Sequence, residues 1–261
     1  MPLIGLICRG CGGLPVPFDH FETTECGKST CDPRLAKAAV HHELGRYSYD
    51  KPTVTVTRLL GCPRQGAIQN AENWHLDPLA LTAALTGVAW GEWLDTHGEV
   101  DSDTVKPALK GVIEGVEITG EADFLRLDEG LIGDDKHQND FGRADIEKNG
   151  PKHEHMAQLS LYGELVWQQM EIRLTRGLLC YHWTAGMPKN IYFDLWPLEK
   201  VLEFRPFNGP VTVRENLVNC TKPWQEQPLV GEGIQWKSGK LMCDGCQVKH
   251  TCWTQAKGAT F

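Results

Sequence analysis

An α/β fold built on a mixed sheet is predicted for this chain by three observations. Residues 111 to 138 alternate apolar and polar side chains around internal glycines, as short strands with tight turns do. Residues 153 to 176 carry Met156, Leu159, Leu165, Val166 and Ile172 largely on one helical face. Two further strand-like runs follow, "GLLCYHW" and "NIYFDLWPL". Helix, strands, helix and strands in that order describe an α/β core.

Taken from the start, residues 1 to 50 are dense in Gly, Pro and Cys and poor in apolar periodicity, which reads as a small metal-stapled module. Residues 51 to 261 form the main domain. The run "DPLALTAALTGVAWGEWLDT", residues 77 to 96, opens with Asp77 as N-cap before Pro78 and predicts a buried helix. The segments "GVIEGVEITGEADFLRLDEG" and "LIGDDKHQ" predict three short strands. Residues 205 to 240 are proline-rich and show no clear element, and the cysteine cluster "CDGCQVKHTC" comes after them.

At 261 residues and 41% hydrophobic content the chain can bury a sizeable core, with one main domain and a small appendage. Its apolar runs fall short of the roughly 18 residues that a membrane span needs, and "MPLIGLICRGCGG" lacks the flank and length of an export signal. A soluble, unexported protein of the cytoplasm is expected, or of the host-cell cytoplasm if phage-encoded. Ten cysteines in a reducing compartment point to metal ligation ahead of disulfides. The net charge of −8 argues against a protein that coats polyanions at large, yet it admits a nuclease whose acidic centre is neutralised by metal ions. No phosphate-loop motif is present, so any unwinding of nucleic acid would need a partner.

Asp123 stands in "GEAD", and eleven residues on comes "DDK" with Asp134 and Lys136 two apart. Residues two apart on a strand share a face, so a carboxylate and an ammonium can converge. Two carboxylates from adjacent strands are hard ligands for Mg²⁺ or Mn²⁺, and the lysine can orient or deprotonate water and stabilise phosphate charge. Alone, the triplet would also suit a solvated turn with a surface ion pair. In "QLSLY", Gln158 and Tyr162 are four apart and share a helical face.

Together "GEAD", "GDDK", "QLSLY", "TRLLGCPRQ" and "CDGCQVKHTC" resemble the PD-(D/E)XK nuclease superfamily, and within it the RecB-like exonucleases with an iron-sulfur cluster. AddB-type nuclease domains and CRISPR-associated RecB-like exonucleases share this layout, and the likeness covers about residues 53 to 255. It implies a restriction-endonuclease-like core with a mixed sheet flanked by helices. Asp123 and Asp134 would then be metal ligands, Lys136 the catalytic lysine, and Gln158 and Tyr162 supports of the site and the strand. Where relatives place a metal-binding histidine on the first helix, this chain has Gly91. Glu92 is the candidate substitute, a surface glutamate being the alternative. Asp135 is expected to point to the opposite face as an exposed neighbour.

The resemblance also implies that Cys62 joins Cys243, Cys246 and Cys252 around a [4Fe-4S] cluster that is structural in role, with zinc as the rival occupant. Cys8 and Cys11, followed by Cys26 and Cys31, are two short-spaced pairs that suit zinc, unligated thiols being the alternative. His20, His41 and His42 are lesser candidates. Cys180 and Cys220 are expected to pack as small apolar residues.

The function expected is that of a Mg²⁺- or Mn²⁺-dependent exonuclease on single-stranded DNA ends, in repair, recombination, phage DNA processing or CRISPR adaptation, with a helicase or integrase as possible partner. A non-catalytic nucleic-acid-binding subunit and a restriction-type endonuclease are the alternatives. Arg58, Arg64, Lys237, Lys240 and Lys249 could line the strand's path or be scattered surface charges, and Trp90, Trp93 and Trp253 could stack bases or pack in the core.

Overall fold

The structure is a computed structural model that describes residues 107–138, 140–183 and 186–227 without interruption. It also describes 3–8, 14–17, 54–62 and shorter stretches at 20, 64–65, 67–68, 74–76, 85–86, 89, 96, 104–105, 246 and 252. The chain divides into two compact units. One combines Thr53–Gly61 with Ala89–Thr221, and the other combines Met1–Pro52, Cys62–Val88 and Lys222–Phe261.

In chain order the strands are β1 (Leu3–Cys8), β2 (Leu14–Val16), β3 (Val54–Thr55), β4 (Trp74–Leu76), β5 (Thr104–Val105), β6 (Ala108–Ile113), β7 (Val116–Glu121), β8 (Phe124–Arg126), β9 (Leu131–Gln138), β10 (Arg176–Trp183) and β11 (Lys189–Asp194). The helices that position the site are α1 (Val56–Leu59), α2 (Asp140–Asn149), α3 (His153–Met170), α4 (Leu198–Leu202) and α5 (Val213–Cys220). In the second unit β1 lies between β2, antiparallel, and β4, parallel. A strand thus stands at the start of a segment whose apolar periodicity is poor.

The first unit holds a five-stranded mixed sheet in the order β11-β10-β9-β8-β5 and a three-stranded sheet in the order β3-β7-β6. Central β9 runs parallel to β10, pairing Leu131 with Arg176 through Gln138 with Trp183, and antiparallel to β8. Its first four residues are buried, as a strand flanked on both sides requires. Helix α3 packs on β6, β9 and β10 and against α1 and α4. Its middle is buried almost all round, from Ala157 through Val166 with the exception of Gln158 and Glu164. Where it meets the chain after β11, Ser160 Oγ donates to the Met156 carbonyl at 2.8 Å and accepts the Trp196 amide at 2.9 Å.

This is the mixed α/β architecture that the sequence predicts, with corrections in its parts. The run from 108 to 138 makes four strands in two sheets, where three strands were expected. Glu114 and Gly115, both at positive φ (48° and 83°), form the two-residue turn that closes the β6–β7 hairpin. The helix expected to reach residue 176 stops at Met170, because Glu171 turns left-handed (φ 59°) and caps it. Ile172 keeps its apolar role by packing on the core outside the helix. Helix α2 was not foreseen, since its sequence "DFGRADIEKN" is mostly polar and Ile146 supplies its buried contact. Within the unassigned proline-rich stretch, α5 is started by a reciprocal cap. The Thr212 hydroxyl accepts the Glu215 amide at 3.2 Å, and Glu215 Oε2 accepts the Thr212 amide at 2.6 Å. The helix predicted over 77–96 lies largely outside the described residues.

Candidate active site

The ladder between β8 and β9 ends at Phe124 opposite Gly133. One residue further, the same register sets Asp123 opposite Asp134. There the main chain of β8 no longer supplies an acceptor for the next amide of β9. The side chain of Asp123 does so instead, its Oδ2 accepting the Asp135 N–H at 2.6 Å. The end of a β-ladder therefore holds one carboxylate beside another. Asp134 and Lys136 project from the other residues of β9 on one face, and the Lys136 ammonium is ion-paired with Asp134 Oδ2. Both are withdrawn from solvent, with 5% and 19% of their side-chain surface exposed.

Burial and like charge shape this centre. Asp123 is pushed up to about 7, first by burial and then by the neighbouring Asp134, against the opposing pull of the Asp135 amide and Lys136. For Lys136, burial is the largest single influence and works to lower the pKa, but the charge and hydrogen bond of Asp134, with Tyr162 and Asp123, together outweigh it and the ammonium is held above its ordinary value. Tyr162 is raised by burial and then by Asp134. Its hydroxyl accepts Gln158 Nε2 at 2.9 Å, so both residues of "QLSLY" that the sequence singles out stand at this centre. Gly120 of β7 makes room for the tyrosine ring, since a Cβ there would lie 2.4 Å from Tyr162 Cε1.

Sequence reasoning missed a second layer. His155, three residues before Gln158 on the same helical face, is held well below its ordinary pKa by burial and then by the charges of Lys136 and Lys152. Its Nδ1 lies 2.9 Å from the Tyr181 hydroxyl, which also accepts the Lys152 amide at 3.2 Å. Lys152 Nζ donates to Gln138 Oε1 at 2.7 Å, closing the layer back onto β9. The spacing of His155, Gln158 and Tyr162 was the signal available for the histidine.

Asp135 lies on the opposite face of β9 from Asp134, as strand alternation requires. It is more than an exposed neighbour, however. Its Oδ1 is 2.7 Å from His182 Nε2 on β10, with 26% and 12% of the two side chains exposed. Cys180, its register partner, is half-buried and not a core residue, and its thiol is pushed up to about 12 by burial and then by Asp135 and Asp134. Cys220 is likewise half-buried.

Of the other candidates, Arg64 is buried and donates through Nη1 to the Gln227 carbonyl at 2.9 Å, which ties it to the main chain and not to a solvent-facing strand path. Arg58 is half-buried on α1, and its amide donates to the Thr55 hydroxyl at 3.2 Å. Cys8 and Cys252 are buried, and Cys62 and Cys246 half-buried, all in the second unit. His20 is half-buried. Glu92, Cys11, Cys26, Cys31, Cys243, His41, His42, Trp90, Trp93, Trp253, Lys237, Lys240 and Lys249 lie outside the described residues. Among the described residues no three His, Cys, Asp or Glu side chains are arranged to hold a metal ion, so Asp123 and Asp134 stand there as a pair.

No protein-family model matches the chain, and no curated protein does. Solved structures do. The chain is similar to the crystal structure of SSO0001 with a TM-score of 0.50 at 17% identity, over 82% of this chain and 91% of that one. It is also similar to an alkaline exonuclease (LHK-Exo) from Laribacter hongkongensis, with a TM-score of 0.41 at 13% identity over 64% of this chain and 84% of that one. At 17% identity the likeness to SSO0001 is one of fold. No helix among the described residues is long and apolar enough to cross a membrane.

Proposed function

We propose that the chain is a divalent-metal-dependent nuclease of the PD-(D/E)XK kind, hydrolysing phosphodiester bonds at DNA ends, single-stranded ends above all. The observation that carries this reading is the meeting of Asp123, Asp134 and Lys136 on one buried face at the end of the β8–β9 ladder. Two carboxylates so placed repel each other, and burial first and that repulsion second make Asp123 hold its proton up to about pH 7. A dication relieves that repulsion, and oxygen donors suit Mg²⁺ or Mn²⁺. Asp123 and Asp134 would hold it, with Glu92 as a third candidate ligand. When bound, such an ion polarises the phosphate and makes water a stronger nucleophile. Lys136, kept protonated by Asp134, acts as a fixed positive donor to a phosphate oxygen or to the attacking water, and not as a base. Gln158 and Tyr162 brace the wall beside it.

Cys62, Cys243, Cys246 and Cys252 are proposed to hold a [4Fe-4S] cluster, and Cys8, Cys11, Cys26 and Cys31 a zinc ion. Support for the first comes from the grouping of Cys62, Cys246 and Cys252 in one compact unit although about 180 residues of chain separate the first from the others. Cys8 belongs to that unit too, so the two sets are separated by assay. Iron, sulfide and zinc content are measured for the parent, Cys62→Ala and Cys8→Ala. Loss of iron in the first and of zinc in the second is expected, whereas loss of iron in Cys8→Ala alone would overturn the pairing.

The function itself is tested with anaerobically purified protein and end-labelled single- and double-stranded DNA in Mg²⁺, Mn²⁺ or EDTA. Cleavage with either metal and none in EDTA is expected. Binding without cleavage under every condition would instead favour a non-catalytic DNA-binding subunit.

A further inference from the structure

We infer that Asp135 and His182, on the far face of β9, form a positioning pair that fixes the carboxylate of Asp123 in the active site. The inference rests on the nuclease reading of that site. Asp123 belongs to a short irregular link between β7 and β8, and its Oδ2 is held by the Asp135 amide at 2.6 Å. The direction of that amide is set by the backbone dihedrals of residues 134 and 135. On the β8 side the ladder has already ended at Gly133, so β8 does not restrain this peptide through its main chain. On the β10 side it is restrained twice. Cys180 is the register partner of Asp135, and the Asp135 carboxylate reaches diagonally to His182 Nε2 at 2.7 Å.

The peptide joining Asp134 to Asp135 thus connects both metal-facing acids. Its carbonyl half belongs to Asp134, and its amide half holds Asp123. A rotation of a few tens of degrees would move both carboxylates at once, and the side chain best placed to resist it is the one anchored on the far face. The surroundings support this. Elsewhere on that face a phenylalanine ring covers a glycine, Phe124 over Gly133. Apolar packing would suffice to stabilise such a surface, whereas a hydrogen-bonded pair adds direction. Outer residues that orient metal ligands act in this way in metal sites generally.

The test is direct Mn²⁺ binding to the full chain, read from the loss of the free-Mn²⁺ electron paramagnetic resonance signal, with thermal unfolding of each variant alongside. Asp135→Ala and His182→Ala are each expected to weaken Mn²⁺ binding by roughly 10-fold or more. The double variant should be no weaker than the worse single one, because the two residues act as a unit. Asp135→Asn keeps an acceptor for His182 and should bind within about threefold of the parent. Where an alanine variant unfolds, His182→Phe, which keeps the ring and removes the donor, decides in its place. Parent-like binding in Asp135→Ala and His182→Ala while Asp123→Ala loses Mn²⁺ would overturn the inference and leave the nuclease reading standing. Losses that simply add in the double variant would also overturn it. Parent-like binding in Asp123→Ala would remove both.

Discussion

The two faces of β9 carry neighbouring aspartates with opposite fates. Asp134, with 5% of its side chain exposed, looks toward a second acid, a lysine and the Gln158–Tyr162 pair of α3. Asp135, with 26% exposed, looks toward one histidine on the next strand. What differs is the cover. A helix buries the first face and forces like charges together out of water, which raises Asp123 and leaves the centre short of positive charge. On the second face Asp135 meets the His182 ring at hydrogen-bond distance. On the proposed reading, chemistry collects on the face where burial crowds like charges, and positional control sits on the other.

The largest effect should come from the helix-covered face. Asp134→Asn and Lys136→Ala are each expected to lower cleavage by roughly 10³-fold while the unfolding temperature stays near that of the parent, measured by end-labelled DNA cleavage and thermal melts. Equal damage from Asp135→Asn would erase the contrast between the faces.

Next in size is the pH response. Asp123 is raised from 3.8 to about 7, so in that interval the folded state binds more protons than the unfolded one. Stability in EDTA should therefore fall as pH rises from about 4 to about 7 and then level off. Over the same interval a cation must displace a proton, so Mn²⁺ affinity should drop about tenfold for each unit below pH 7 and be flat above it. Melts in EDTA at pH 5 and pH 8, with Mn²⁺ titrations at both, check the sign. A more stable protein at pH 8 in EDTA would contradict it.

Smaller still is the effect of filling the far face. A Cβ on Gly133 would lie 1.9 Å from the Phe124 ring. Gly133→Ala should destabilise the protein by about 1–3 kcal/mol in urea unfolding, with a smaller loss of cleavage than Asp134→Asn. The smallest effect is expected from Gly120→Ala, which nudges Tyr162 without touching the acids. A fall in cleavage of roughly threefold to tenfold, with Mn²⁺ affinity unchanged, would place Tyr162 on the substrate side of the site and not the metal side.

Much of the candidate site's geometry was legible in the chain. Asp134 and Lys136 share a face because strands alternate, and Gln158 and Tyr162 share one because helices repeat every 3.6 residues, so local geometry alone brings each pair together. The alternation that set Asp135 on the other face was equally readable, but its partner was not. His182 lies 47 residues away and meets it through the parallel pairing of β9 with β10. His155, Lys152 and Tyr181 escaped for the same reason. Helix α2 escaped because a polar sequence with one buried anchor has no apolar stripe to betray it.

The sequence by itself determined the kinds of element and the short-range pairs within them, since backbone dihedrals and side-chain periods act over a handful of residues. It also carried the acid-rich motif and the cysteine spacings that suggest a metal-dependent nuclease. The tertiary structure alone decided which strands are neighbours, where the β8 ladder ends, and how much water each carboxylate keeps. Those depend on contacts between segments far apart in the chain, whose register is settled by burying one face of each strand at the expense of loop entropy. Asp123 is therefore a recognisable aspartate in the sequence, and a carboxyl that titrates near 7 only once Asp134 and the helix-covered interior have closed around it.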